Sequence, residues 1–394
     1  MPTAWICFPG APYTQYAAAQ GAKNALIPYG WTLSIPSDDQ TPSDSDETPK
    51  NMDAYVADYD LLPFETVLEN GNQAICSSYV IRKALIRKHY LAQALHTFCV
   101  KRNETVSVAP QTWALEIQFA DELDELLADD LYDLREALEA NVDMPEAEKR
   151  WFILKPGMAD QANGIRLFNS LEKLVSIFEE FEEESDEDED TTDLSTLSVY
   201  ASQLRHFVIQ DYISAPLLVR PLGPDSAPRK FHLRAYVTCV GGLQVYLHDD
   251  MLALFASMPY TQPNDECDLG GHLSNTCLGE RLAGSEKLAS VFLWRTLENA
   301  SMCVPEGLDQ VCGTLTRAHL EKVRALATDV IGTAFEAVAR EASVHWQLWP
   351  NAFEIFGVDL LVGYEKLNNS TIMPDNLRVW LLEINAVCIL QENC

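Results

Sequence analysis

The chain has 394 residues, 47% of them hydrophobic, which is ample for a buried core and for two or three lobes. Its 28 Lys+Arg against 59 Asp+Glu give a formal charge of -31. That sign argues against direct binding to nucleic acid, anionic lipid or any strongly acidic partner, while a local basic cleft can still hold phosphate. No apolar run reaches the ~18 residues that a membrane span needs.

The N-terminal stretch MPTAWICFPGAPYTQY has no basic segment ahead of its apolar residues, so no secretory signal is expected and the cytoplasm is the expected compartment, with the nucleus as the alternative. The ten cysteines form no CxxC pair and no Cys/His cluster with zinc spacing; they read as reduced, small apolar residues. Residues 3–8, TAWICF, predict a strand, and Tyr16–Leu26 a helix. Residues 36–50 are polar, acidic and proline-bearing, a linker or disordered loop. Tyr79 to Leu95 is helical in pattern and unusually basic, and leucines at 123, 126, 127, 131, 134 and 138 mark one buried helix face over 121–139, ended by Met144-Pro145. Trp151 to Leu154 predicts a strand that runs into Lys155 and a loop of small and polar residues closed by Asn163-Gly164. Residues 179–193 hold eleven acids in fifteen positions and predict a disordered acidic insertion. Strands follow at 205–213, 229–240 and 243–248, the last two joined by Gly241-Gly242 as a hairpin. A long amphipathic helix over 317–339 and strands at 353–362 and 379–387 complete an α+β, or mixed α/β, chain.

Four groups of residues carry chemistry. In VWLLEIN, Glu383 and Asn385 share a strand face within an apolar run, and Asp359 interrupts FEIFGVDLLV in the same way. A carboxylate in a core strand is costly unless paired or metal-bound. If the two strands pair, the three residues converge as hard oxygen ligands suited to Mg²⁺ and nucleotide phosphate; taken singly, each is equally a strand-end residue satisfied by backbone or a basic side chain. RKFHLRAY sets Lys230, His232 and Arg234 on one strand face, three potential cations that want anions nearby, unless that face is simply solvated. FVIQDYI reads on its own as a buried strand. Lys155 with Gly157 to Gly164 is either a hairpin with a surface lysine or a loop that folds over phosphates, for which Asn163 and Gly164 tolerate the left-handed backbone. No GxxxxGK[ST] or GxGxxG is present.

In order, Lys-Pro-loop-Gly-Ile, Ile-Gln-x-Tyr-Ile-x-x-Pro-Leu-Leu, Lys-Phe-x-x-Arg, Phe-Glu-x-x-Gly-x-Asp and Trp-Leu-x-Glu-x-Asn resemble the tubulin-tyrosine ligase and ligase-like family, which has the ATP-grasp fold, over roughly residues 76–387. Asn275 in GGHLSNTCL matches the family's His-Leu-Thr-Asn segment, and RKHYLAQAL resembles its Arg-Lys-x-x-Leu-Ala helix through Lys88, with Lys83 as the competing match. The resemblance implies an N-terminal α/β lobe with the acidic linker over 1–75, a central ATP-grasp lobe over 76–215 and a C-terminal ATP-grasp lobe over 216–394 that is shortened at its end. It implies ATP and Mg²⁺ as cofactors. Lys88 and Lys155 would then hold the α/β-phosphates under the loop that Gly164 closes, and Gln210, Asp211, Tyr212 and Ile213 would contact adenine. Lys230 and Arg234 would face the phosphates and an acyl phosphate, with Asn275 near the γ-phosphate and Asp359, Glu383 and Asn385 on the metal. The implied reaction joins an amino acid to a protein carboxylate; the acceptor protein is open.

Three departures stand beside that likeness. His232 replaces the acidic residue of Lys-Phe-Asp-x-Arg, Gln161-Ala162 stand in the usually glycine-rich loop, and LHDDMLALFASMPY lacks the arginine often found there. His232, the missing arginine and the shortened C-terminal end support an alternative, an ATP-binding scaffold with weak or no activity. The chain is most similar to the fungal branch associated with mRNA decapping bodies (P-bodies), which makes decapping proteins candidate partners. Its charge disfavours the acidic tails of tubulin, so a tubulin-modifying ligase is a further alternative.

Overall fold

The computed structural model describes residues 1–36, 49, 51–69, 73–103, 108–117, 119–157, 164–186, 206–264, 269–274, 290–365 and 372–386. Nearly all of the linker expected at 36–50 lies outside them, as do Gln161, Ala162, Asn163, Asn275, the acidic residues after 186 and residues 387–394.

The N-terminal residues alternate strand and helix: β1 (Thr3–Cys7), α1 (Pro12–Leu26), β2 (Thr32–Ser34), β3 (Ala54–Ala57), α2 (Phe64–Glu69) and β4 (Ile75–Cys76). The strands form one parallel sheet in the order β2-β1-β3-β4. Helix α1 starts four residues before the expected Tyr16, because Pro12 fits a first turn whose N–H needs no partner. Trp5, Tyr55, Val67 and Cys76 are buried together with Leu62, and Trp349 of the distant chain packs against them.

The helix expected over 79–95 is two helices, α3 (Lys83–Ile86) and α4 (Lys88–Arg102), separated by an extended Arg87 (φ -103°, ψ 117°). A tertiary contact accompanies the break: the Ala84 amide donates to the His345 carbonyl at 3.0 Å. Leu85, Leu91, Leu95 and Phe98 join the core of the largest sheet, while α4 also meets the central strands across the cleft described below. The central sheet has the antiparallel order β5-β8-β6-β7, from β5 (Thr112–Glu116), β6 (Phe152–Pro156), β7 (Arg166–Phe168) and β8 (His206–Asp211). The leucine-rich stretch is likewise broken, into α5 (Leu123–Ala128) and α6 (Tyr132–Asn141), yet Leu123, Leu127, Leu131, Leu134 and Leu138 all enter one core with Phe152, Phe168 and Phe207.

The acidic stretch requires a correction. Its first part continues α7 (Leu171–Asp186) instead of being disordered. Leu174, Ile177 and Phe178 bury one face of the helix, Phe181 stacks on Phe207, and Glu182 accepts the Ala120 amide. An amphipathic face anchored in a core outweighs the repulsion among solvated glutamates on the other side.

The largest sheet holds β9 (Leu218–Arg220), β10 (Arg229–Val240), β11 (Gln244–Phe255), β12 (Val291–Leu293), β13 (Ser301–Val304), β14 (Gly307–Thr314), β15 (Phe353–Tyr364) and β16 (Leu377–Asn385). The β10–β11 hairpin turns at Gly241, whose φ of +59° is open to glycine at little cost. Helix α8 (Arg317–Glu341) is capped by Thr316 and His319 and lays Leu320, Val323, Ala327, Ile331 and Phe335 on the core. Among the described residues Cys7, Cys76, Cys99, Cys239, Cys303 and Cys312 are free thiols. Among the described residues no helix is long and apolar enough to cross a membrane.

Candidate nucleotide and metal site

The site begins with strand register. In β10 the residues Phe231, Leu233 and Ala235 are fully buried in the core, which turns Lys230, His232 and Arg234 to the opposite face. Antiparallel pairing sets Arg234 opposite Asp359 on β15, and Asp359 opposite Glu383 on β16. The register shifts just after Asp359, where Leu360 pairs with Leu381, so Leu382 is the extra residue of a bulge beside Glu383. Asp359, Glu383 and Asn385 do meet. The Asn385 amide donates to Asp359 Oδ2 and to Glu383 Oε1, each at 3.3 Å.

Each carboxylate has its own cation. Arg234 grips Asp359 through two bonds, Nε to Oδ1 at 2.5 Å and the second guanidinium nitrogen to Oδ2 at 3.0 Å. Lys88 Nζ lies 3.0 Å from Glu383 Oε2. Lys88 is the first residue of α4, presented there by the extended Arg87, whereas Lys83 is exposed at the start of α3; Lys88 is thus the lysine of this pair that enters the cleft. Lys88, and then Lys155, hold the Glu383 carboxyl well below the usual carboxylate range despite its burial.

Lys155 projects from β6 between the two sheets and donates to Gln210 Oε1 at 2.8 Å; Gln210 in turn donates to Thr112 Oγ1 at 3.0 Å. Burial pushes the Lys155 ammonium down to about 8, with Lys88 acting in the same direction against Glu383. An open cleft runs between these groups, lined by Lys88, Leu91, Leu95, Thr112, Lys155, Val208, Gln210 and Leu381. It has lysines at one end and an apolar wall, the mixture a phosphate-bearing, ring-bearing ligand needs. The amides of Asp211 and Tyr212 are spent on the carbonyls of Gln111 and Trp151, and Ile213 follows at the strand end. Asp211 also pairs with Arg150 at 2.8 Å. Gly164 adopts φ +71°, the left-handed backbone expected where the loop closes.

Lys230 sits 4.1 Å from the centre of the Tyr212 ring, and the Tyr212 hydroxyl bonds His272 Nδ1 at 2.7 Å. His232 is buried. Its Nδ1 lies 2.6 Å from Ser274 Oγ, and its Nε2 faces Asp359 Oδ1 at 3.6 Å. Burial lowers its basicity, with Asp359 opposing.

Two carboxylates joined by one amide fit a hard divalent cation through oxygen donors. Among the described residues no three His, Cys, Asp or Glu side chains cluster closely enough to hold a metal alone, so an ion here would also draw on Asn385 and on ligand oxygens. Thr112 and Ser274 were missed by sequence reasoning. Thr112 opens a strand whose alternation, TWALE, is legible but short, and Ser274 carries no signal until the fold brings it to His232.

The chain matches the model of the tubulin-tyrosine ligase family over residues 83–393. A probable tubulin–tyrosine ligase from Schizosaccharomyces pombe is 38% identical over 349 residues, covering 86% of this chain and 76% of that protein. The probable tubulin–tyrosine ligase PBY1 of Saccharomyces cerevisiae is 33% identical over 352 residues, covering 84% of this chain but only 42% of that protein. The crystal structure of the C-terminal domain of Kluyveromyces lactis Pby1, described as an ATP-grasp enzyme interacting with the mRNA decapping enzyme Dcp2, superposes with a TM-score of 0.60 at 28% identity, covering 100% of this chain and 88% of that one. The motif order, the fold and these matches agree, and the chain belongs to the tubulin-tyrosine ligase family, with an ATP-grasp architecture.

Proposed function

We propose that the chain is an ATP- and Mg²⁺-dependent ligase that forms an amide between an amino acid and a protein carboxylate. The observation that supports this most is the row Arg234, Asp359, Glu383 across three strands, facing Lys88 and Lys155 across the cleft. Phosphoryl transfer needs positioned charge more than a covalent nucleophile. Lys88 and Lys155 hold the α/β-phosphates, and the strand end at Gln210 to Ile213 takes adenine. Arg234 and Lys230 neutralise charge on the transferred phosphoryl group, aided by Asn275. The acceptor carboxylate attacks the γ-phosphorus and ADP leaves; the amine then attacks the acyl phosphate, the C–O bond breaks, and phosphate and a proton depart. Asp359, Glu383 and Asn385 would hold Mg²⁺, which supplies charge neutralisation between the phosphates when bound.

Calorimetry of ATP binding with and without Mg²⁺ tests the reading. Wild type should bind with a clear Mg²⁺ enhancement and Asp359→Ala should lose that enhancement; a wild type that binds no ATP overturns it. A second reading, an ATP-binding scaffold in decapping assemblies of the cytoplasm, is favoured by His232 in place of the acidic residue and by the described Dcp2 interaction of the K. lactis neighbour. Transfer of labelled amino acid to lysate protein under Mg-ATP separates the two.

A further inference from the structure

Resting on the metal-and-nucleotide reading above, we propose that His232 supplies an imidazole nitrogen to the divalent cation, so that the site favours a transition-metal ion such as Mn²⁺ over Mg²⁺. The imidazole is 4% exposed, and its Nε2 has no hydrogen-bond partner among the described residues. Ser274 Oγ fixes the other nitrogen at 2.6 Å, which sets the ring plane and aims Nε2 at Asp359 Oδ1, 3.6 Å away. That gap is too long for a hydrogen bond. Two donors that each lie about 2.1 Å from one ion stand ~3.0 Å apart at right angles and ~3.6 Å apart at 120°, so the gap fits a shared cation.

Electrostatics points the same way. In the tautomer whose Nδ1–H donates to Ser274 Oγ, the Nε2 lone pair faces the Asp359 carboxylate in a buried setting, and a cation between them turns that repulsion into two attractions. The Arg234 guanidinium binds Asp359 from its own side and does not reach Nε2 in any hydrogen bond. Asn385 links Asp359 to Glu383, so the nitrogen joins a set otherwise made of oxygen. Oxygen donors alone suit Mg²⁺; adding imidazole shifts preference along the series toward transition metals. His232 would thus add one nitrogen to the oxygen donors Asp359, Glu383 and Asn385.

The test uses the whole chain with Mn²⁺ and a non-hydrolysable ATP analogue. Pulsed electron paramagnetic resonance should show nitrogen coupling to the bound Mn²⁺ that disappears in His232→Asn. Calorimetry should show Mn²⁺ affinity falling about tenfold in that variant while Mg²⁺ affinity stays within about twofold, and Ser274→Ala should lower Mn²⁺ affinity in the same direction. Nucleotide-dependent Mn²⁺ binding without nitrogen coupling, or with coupling that persists in His232→Asn, overturns the inference and leaves the proposed function standing. Failure of Mn²⁺ and of Mg²⁺ to bind with the nucleotide at all overturns both.

Discussion

Lys155 lies at the crowded end of the cleft, and its chemistry follows from its surroundings. Burial, reinforced by Lys88, brings its ammonium down to about 8, so in the free protein it is cationic below that pH and increasingly neutral above it. Phosphate binds the cationic form, and binding takes up a proton once the pH exceeds 8. ATP affinity should therefore be flat below pH 8 and fall as the pH rises, by up to about tenfold per unit, until the bound-state pKa is reached. Calorimetry from pH 7 to 9.5 would show it, and Lys155→Met should abolish the slope and weaken binding by about 10–100-fold, the size of a lost charged hydrogen bond. The lysine itself was legible at the end of an apolar strand. Its partners Gln210 and Thr112 were not legible as such, because they come from strands far away in sequence.

Elements are tied to one another by two features that act at a distance from the nucleotide. Arg82, just ahead of α3, pairs with Glu354 on β15, and the Tyr79 amide donates to the same carboxylate at 3.1 Å. Glu354 is 2% exposed, and burial raises its pKa against the pull of Arg82. Arg82→Met leaves a buried carboxylate without its cation, and the expected loss is about 3–5 kcal/mol in chemical unfolding. The second feature is Gly363 near the end of β15. A Cβ there would stand 2.5 Å from the Ala215 carbonyl oxygen and 2.7 Å from the Trp380 ring. Gly363→Ala should cost about 1–3 kcal/mol, read from the unfolding midpoint, with no change in nucleotide affinity beyond what destabilisation explains. Periodicity found most of these elements but missed the breaks at Arg87 and near Asp129; the one at Arg87 comes with the tertiary bond from the Ala84 amide to the His345 carbonyl.

The whole molecule carries -31, while Lys88, Lys155, Lys230 and Arg234 lie in or beside one cleft. Long-range repulsion with local attraction suits a small anion better than an acidic polypeptide. An acidic tubulin-tail peptide should show no measurable binding by fluorescence anisotropy at low salt, where attraction to any basic groove would be strongest. Tight, salt-sensitive binding would bring tubulin back as the acceptor.

From the sequence alone came the mixed class, through alternation, the family, through the resemblance of its ordered motifs, and the candidates Asp359, Glu383 and Asn385, because polar residues isolated in apolar strands are a local pattern. Only the tertiary structure decided that Lys88 rather than Lys83 enters the cleft, that α7 runs through the start of the acidic stretch, and that Ser274 turns His232 toward Asp359. Each of those depends on packing between segments tens to hundreds of residues apart, where the contact energy resides in the pairing and not in either segment.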